Sequence, residues 1–172
     1  MDKILDIGCG GNKIAGSIGM DIYAFEGVDI VHDLDVFPWP IENNSFDKII
    51  CSHVVEHISR PREFYKELHR ISKNNALVEV ETPHFTSLDS YGDPTHLWHY
   101  ASHWYNQLLE SGYLSKQTGT FELVDNKVTF SKSFMNFFPK LIIKLKSINY
   151  WEKKYCYRYP ARNIETVLRV IK

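Results

Sequence analysis

The sequence has few cysteines, no long apolar run and almost no net charge, and each shortage closes off a class of protein. Its 172 residues include 3 cysteines, Cys9, Cys51 and Cys156, too far apart for a zinc pair and odd in number for a disulfide framework. They read as reduced thiols of a cytoplasmic protein. No window approaches the ~18 consecutive apolar residues of a membrane span. The opening MDKILDIGCG sets acidic and glycine residues where a secretion signal needs a basic flank and an apolar stretch. The net charge of −1, from 20 Lys+Arg and 21 Asp+Glu, argues against a general nucleic-acid binder. That balance hides an uneven distribution. Residues 1–126 hold 9 Lys+Arg against 19 Asp+Glu, whereas residues 127–172 hold 11 against 2. The basic final quarter allows a local anionic partner. With 44% hydrophobic and 24% charged residues, the chain has an ordinary globular composition and the length of one domain, residues 1–172.

Short apolar runs alternate with helical patterns. Residues 3–7, 17–21, 28–32, 46–51 and 76–81 read as strands. Pro61 suits a first helical turn, and Phe64, Leu68 and Ile71 then recur at helical spacing, with Asn74-Asn75 as the stop. Residues 82–100 form a long loop rich in His, Asp and aromatics. Ser102 caps a helix running to about Ser111, with Gly112 as its C-terminal stop. Strand character returns at 121–124 and 127–130, and again at 164–171. Such alternation implies an α/β fold with a doubly wound parallel sheet, which binds ligands at the carboxyl ends of its strands.

The strongest motif is ILDIGCGGNK, Ile4 to Lys13. Glycines directly after a buried strand let the backbone approach a ligand, because no Cβ intervenes. Asp6 lies inside the apolar strand, where a charge needs a purpose. Asp21 and Asp33 close the next two strands, so three carboxylates line one edge of the sheet. A dinucleotide fingerprint needs a third glycine at position 13, which is Lys13, and an acid two residues before the first glycine repels a pyrophosphate. The same acid attracts a cation. A nucleoside with a positive centre and no phosphates fits, as in S-adenosylmethionine.

On these residues, together with DLDVFPWPIENNSFDKIICSHVVEHI (Asp33 to Ile58), the Pro61 helix and ESGY (Glu110 to Tyr113), the chain resembles the class I S-adenosylmethionine-dependent methyltransferases of the small-molecule group labelled type 11. The resemblance implies a Rossmann-like, mostly parallel sheet with an antiparallel closing strand. It implies a methyltransferase that yields S-adenosylhomocysteine and acts on a small or lipid- or glycan-linked acceptor. It also implies cofactor-binding roles. Gly8 and Gly10 pack under the methionine and ribose, and Asp6 sits near the amino group. Asp21, with Ile22 beside it, takes the ribose hydroxyls. Asp33 takes the adenine amino group and the Leu34 amide a ring nitrogen. Cys51 and Ser52 line the methionine end, and His53 stands at the mouth of the site. Two other functions stay open: a cofactor-binding domain without turnover, and aminopropyl transfer on the same fold. Only 14 residues separate Asp6 from Asp21, so the first helix is very short or irregular.

Of eight histidines, His32, His57 and His69 read as structural or surface residues. His84 follows the fifth strand near the expected acceptor, and His96, in DPTHLWHYASH, is the candidate general base; an unperturbed imidazole titrates at about 6.5. His99 and His103 are four apart, but spacing alone brings no three ligands together, so no metal is expected. Phe85, Tyr91, Trp98 and Trp104 form either an aromatic acceptor pocket or a minor core. Residues 132–158 are an insertion of aromatics and lysines, beginning with Lys132 and Phe134, and from Pro139 they have the spacing of one or two amphipathic helices. They are expected to cover the sheet and close the acceptor site. Peripheral contact with an anionic membrane is the alternative.

Overall fold

The computed structural model describes residues 2–131 and 136–172; Lys132 and Phe134 fall outside them. Seven strands form one sheet: β1 (Ile4–Ile7), β2 (Ile18–Asp21), β3 (Ile30–Val31), β4 (Phe46–Ser52), β5 (Ser72–Pro83), β6 (Thr120–Val128) and β7 (Asn163–Ile171). Their order is β3-β2-β1-β4-β5-β7-β6. Strands β1 to β5 pair in parallel, and β7 runs antiparallel to both neighbours, as the resemblance implies. The order turns back between β1 and β4. That reversal leaves a crevice beyond the carboxyl ends of the strands, where such sheets hold ligands.

Helix α1 (Pro61–Ile71) starts with proline at its first position and buries Phe64, Tyr65, Leu68 and Ile71 against the sheet. They join Leu5, Ile7, Met20, Phe46, Ile49 and Val78 in the main core. The helix ends at Ile71, earlier than Asn74-Asn75 suggests. Strand β5 begins at once, and Asn75 adopts a left-handed φ of 67° inside it.

Between β1 and β2 the chain makes only turns, as the short spacing requires. The long loop after β5 carries a five-residue helix, α2 (Leu88–Gly92), and is closed at its base by a bridge between His84 and Tyr100. The helix expected over 102–111 does not form. The Ser102 carbonyl, which would accept the first bond of such a helix, accepts from Asn126 Nδ2 at 2.9 Å, and the segment holds only a 3-10 turn at Trp104–Gln107; a four-residue helix, α3 (Ser115–Thr118), follows it.

Residues 136–158 lie between β6 and β7 as α4 (Phe137–Leu145) and α5 (Ile148–Tyr155). Trp151 of α5 is fully buried and forms a second core with Cys156 and Ala161, against which Phe85, Phe130 and Ile143 pack. α5 thus packs on the loop after β5 and the end of β6 rather than across the sheet, and α4 is the more open of the two helices. Phe137 is 61% exposed and Leu145 68% exposed, with Phe138 and Leu141 also open.

Candidate cofactor and acceptor clefts

At the end of β1 the chain reverses through Gly8 (φ 66°), whose N–H donates to the Met20 carbonyl at 2.7 Å. A Cβ on Gly8 would overlap Val54 Cγ2, so this glycine lets the turn after β4 pack on the loop. Gly10 (φ 52°) is different. A Cβ there would meet nothing, so its bareness keeps an approach to the backbone open.

The Gly10 N–H donates to Asp21 Oδ2 at 2.9 Å, and the Tyr23 N–H donates to Asp21 Oδ1 at 3.0 Å. Asp21 is 8% exposed at the end of β2. Each carboxylate oxygen keeps a second lone pair, so a vicinal diol can donate to both. Asp6, on β1, accepts from the Ile14 N–H at 2.9 Å. Burial raises its pKa against that hydrogen bond and the field of Lys13. Lys13 itself pairs with Asp29 at 2.8 Å. Asp6 is therefore a buried carboxyl without a paired cation, a natural counterpart for a cationic ligand group.

Two clefts open along this edge. The first, of about 670 Å³, is bounded by Gly8, Asp21, Asp33 and Asp35 and by the apolar Ile22, Leu34, Val54 and Ile58. Tyr23 and Phe25, an edge-to-face pair 5.8 Å apart, extend its wall. Asp33 accepts from the Asp35 N–H at 2.9 Å through Oδ1 and leaves Oδ2 without a partner in that turn. The second cleft, of about 850 Å³, is lined by titratable side chains among Pro83, Leu88 and Pro94. His53, His57 and His96 line it with Asp89 and Asp93. His53 and His57 border both clefts. His53 has a left-handed φ of 55°, unusual for a residue with a side chain, and its N–H donates to the Glu81 carbonyl at 2.8 Å. The Glu56 carboxylate, 3.4 Å from Nδ1, raises the His53 pKa against the opposing effect of burial.

Not every expected site residue reaches these clefts; Asp6 and Gly10, next to Gly8 and Asp21, border neither. Cys51 is fully buried in the main core, and desolvation raises its thiol pKa far above the ordinary range. Ser52 Oγ donates to Glu81 Oε2 at 3.1 Å, and neither residue borders the first cleft. His84, expected near the acceptor, is 0% exposed. The Thr86 N–H donates to its Nδ1, which places the proton on Nε2, and Nε2–H donates to Glu152 at 2.9 Å. Both nitrogens are engaged and water is excluded, so His84 is a structural residue. His96 does border the second cleft, with Nδ1 donating to the Ser90 carbonyl at 3.1 Å. The aromatic pocket does not assemble: Phe85 packs in the second core, Trp104 against the main core, and Tyr91 stacks on His99 at 3.8 Å. No residue of 136–158 borders either cleft, so the lid expectation is not met by the described residues.

Sequence reasoning missed Tyr23, Phe25, Glu56 and His57. His57, which the sequence reads as a structural or surface residue, borders both clefts because the 3-10 turn at Val55–His57 follows soon after β4. Only the position of that turn at a parallel strand's carboxyl end could have marked it.

A family model described as a methyltransferase domain matches residues 2–119. The chain therefore belongs to the methyltransferase-domain family, the class I enzymes that use S-adenosylmethionine as cofactor. No curated protein matches the sequence. Solved structures similar to it include an S-adenosylmethionine-dependent methyltransferase from Archaeoglobus fulgidus, 20% identical with a TM-score of 0.66, over 98% of this chain and 86% of that one. Another, from Mesorhizobium loti, is 11% identical with a TM-score of 0.62, over 98% and 90%. The cyclase SpnF, 17% identical with a TM-score of 0.60 over 99% and 75%, shares the fold under the name of a different reaction. The residues present fit the cofactor: Asp6 offers an unpaired buried carboxyl to its charge, Asp21 a pair of acceptors, and Gly10 an open approach.

Proposed function

We propose that the first cleft binds S-adenosylmethionine through Asp6, Gly8, Gly10, Asp21, Ile22, Asp33, Leu34 and His53, and that the second cleft holds the methyl acceptor. The cofactor, when bound, supplies a methyl group already activated on a sulfonium. The protein then has to position the acceptor in line, which contributes about 7–11 kcal/mol in well-oriented systems. The observation that carries this reading is the shared border. His53 and His57 belong to both clefts, so a ligand in each would meet there. Asp21 and Asp33 orient the nucleoside, Asp6 attracts the ammonium group, and Cys51 and Ser52 contribute only the strand that carries His53.

Asp89 and Asp93 in the second cleft disfavour a phosphate-rich acceptor and suit a hydroxylated or cationic one. This is also why nucleic acid is not expected. The experiment is a turnover assay with purified protein, S-adenosylmethionine and fractionated cell extract. Formation of S-adenosylhomocysteine that depends on one fraction supports the reading. Tight cofactor binding with no turnover in any fraction favours a binding domain, and methylthioadenosine from the decarboxylated cofactor favours aminopropyl transfer.

A peripheral membrane contact, and with it a lipid-linked acceptor, is favoured by α4. It exposes Phe137, Phe138, Leu141 and Leu145 beside Lys140 and Lys144, the composition of an interfacial helix.

A further inference from the structure

We propose that Glu56, His57 and His96 form a binding site for a divalent transition-metal ion between the two clefts. One ligand atom from each lies within 4.8 Å of the others. Two imidazoles and one carboxylate are a donor set that suits zinc, iron(II) or manganese(II).

The first independent observation is the state of Glu56. Its side chain is 1% exposed. Oε2 accepts from the Thr82 hydroxyl at 2.9 Å, whereas Oε1 accepts no hydrogen bond and has His53 Nδ1 beside it at 3.4 Å. A buried carboxylate oxygen without a donor is costly, and a cation among the three side chains removes that cost.

The second is the tautomer of each histidine. His96 Nδ1 lies 3.1 Å from the Ser90 carbonyl, which only accepts, so Nδ1 carries the proton. His57 Nδ1 lies 3.3 Å from the Thr95 carbonyl and 3.0 Å from the Thr95 hydroxyl. That hydroxyl gives its own proton to Asp93 at 2.6 Å, so it too accepts from His57. Both rings are thus left with an Nε2 lone pair that no hydrogen bond engages; Asp93 Oδ2 lies 3.9 Å from that of His96. Holding Nδ1–H on a carbonyl or a carboxylate-linked hydroxyl is how proteins orient imidazoles toward metals.

The third is rigidity. Glu56 and His57 sit on the 3-10 turn after β4. The loop bearing His96 is tied to that turn by the Leu97 N–H donating to the Glu56 carbonyl at 2.8 Å and by Trp98 Nε1 donating to the Ile58 carbonyl at 2.7 Å. Tetrahedral ligands at ~2.1 Å stand about 3.4 Å apart, so metal binding would draw the three inward by small rotations. His99 and His103, the pair suggested by sequence, are held elsewhere, by Ser90 and Glu152.

Three protein ligands leave a coordination position open. Because His57 and His96 border the second cleft, that position faces the proposed acceptor. This deepening rests on the acceptor reading and narrows the acceptor to a compound with a metal-binding hydroxyl or carboxylate. The metal site itself does not depend on that reading.

The test uses the full chain, stripped with a chelator and titrated with cobalt(II) as a spectroscopic probe. The expected result is one equivalent of bound cobalt with visible bands of low coordination number, displaced by zinc. Affinity should fall at least about tenfold in His96→Ala and in Glu56→Gln, while His96→Ala keeps wild-type cofactor binding. No stoichiometric cobalt, or equal affinity in a folded His96→Ala, overturns the site even where Glu56→Gln fails to fold. Cobalt binding with methyl transfer that ignores the metal leaves the site standing and overturns only the acceptor clause. Loss of cofactor binding in the wild type would overturn the functional reading without touching the metal result.

Discussion

Gly8 and Gly10 flank Cys9 and do different work. Both hold left-handed φ values, which cost a residue with a Cβ about 1–2 kcal/mol. At Gly8 the added atom also strikes Val54, which is buried. Gly8→Ala should therefore lower the melting temperature clearly more than Gly10→Ala. Gly10→Val should leave a folded protein that binds S-adenosylmethionine much more weakly. Thermal unfolding and calorimetry on the variants check both; equal melting temperatures for the two alanine variants would contradict the packing role of Gly8. At this scale the sequence was most legible in position: Asp21 ends β2 and Asp33 follows β3, and both border the first cleft. It was least legible where a residue's environment comes from distant chain. The partners of His84, Thr86 and Glu152, include one 68 residues away, and nothing local distinguishes such a histidine from a base.

At the level of elements, α5 is fastened by its only acid. Glu152 accepts from His84 Nε2 at 2.9 Å and from the Ser102 N–H at 2.7 Å, and its other oxygen lies 3.2 Å from His103 Nδ1. Burial alone would raise its pKa, but these hydrogen bonds outweigh burial and hold it down to about 2. A depressed carboxylate contributes stability above its unfolded value, near 4.5, and loses it as pH falls through the folded value. The contribution is of the order of 3 kcal/mol and should vanish between about pH 4.5 and about pH 2. Glu152→Gln should lower stability at neutral pH and flatten the profile in that window. Denaturant unfolding of both proteins at several acid pH values tests this; parallel profiles would contradict it. The strands and α1 were readable from periodicity because their partners are regular and near in sequence. The region 102–119 was not, because tertiary hydrogen bonds at Ser102 and the packing of Leu108 override its local helical signals.

Across the whole molecule, little of the charge asymmetry goes into ion pairs: Arg162 lies 3.8 Å from Asp89 and Arg169 2.8 Å from Glu122. Among the described residues none of Lys140, Lys144, Lys146, Lys153 and Lys154 is in an ion pair. The insertion turns a positive, partly apolar surface outward while its one carboxylate faces in. Sedimentation with anionic vesicles should show salt-sensitive binding that Phe137→Ser with Leu145→Ser abolishes without loss of stability beyond about 0.5 kcal/mol. Binding equal to that on neutral vesicles would rule the contact out. The other end of the molecule carries the central claim, that the reversal between β1 and β4 holds the cofactor with Asp21 as its ribose acceptor. Calorimetric titration of the purified chain with S-adenosylmethionine tests it most directly. One-to-one binding in the wild type, weakened by roughly 1.5–3 kcal/mol in Asp21→Ala, is the predicted result; no binding in the wild type, or the same affinity in both proteins, would contradict it.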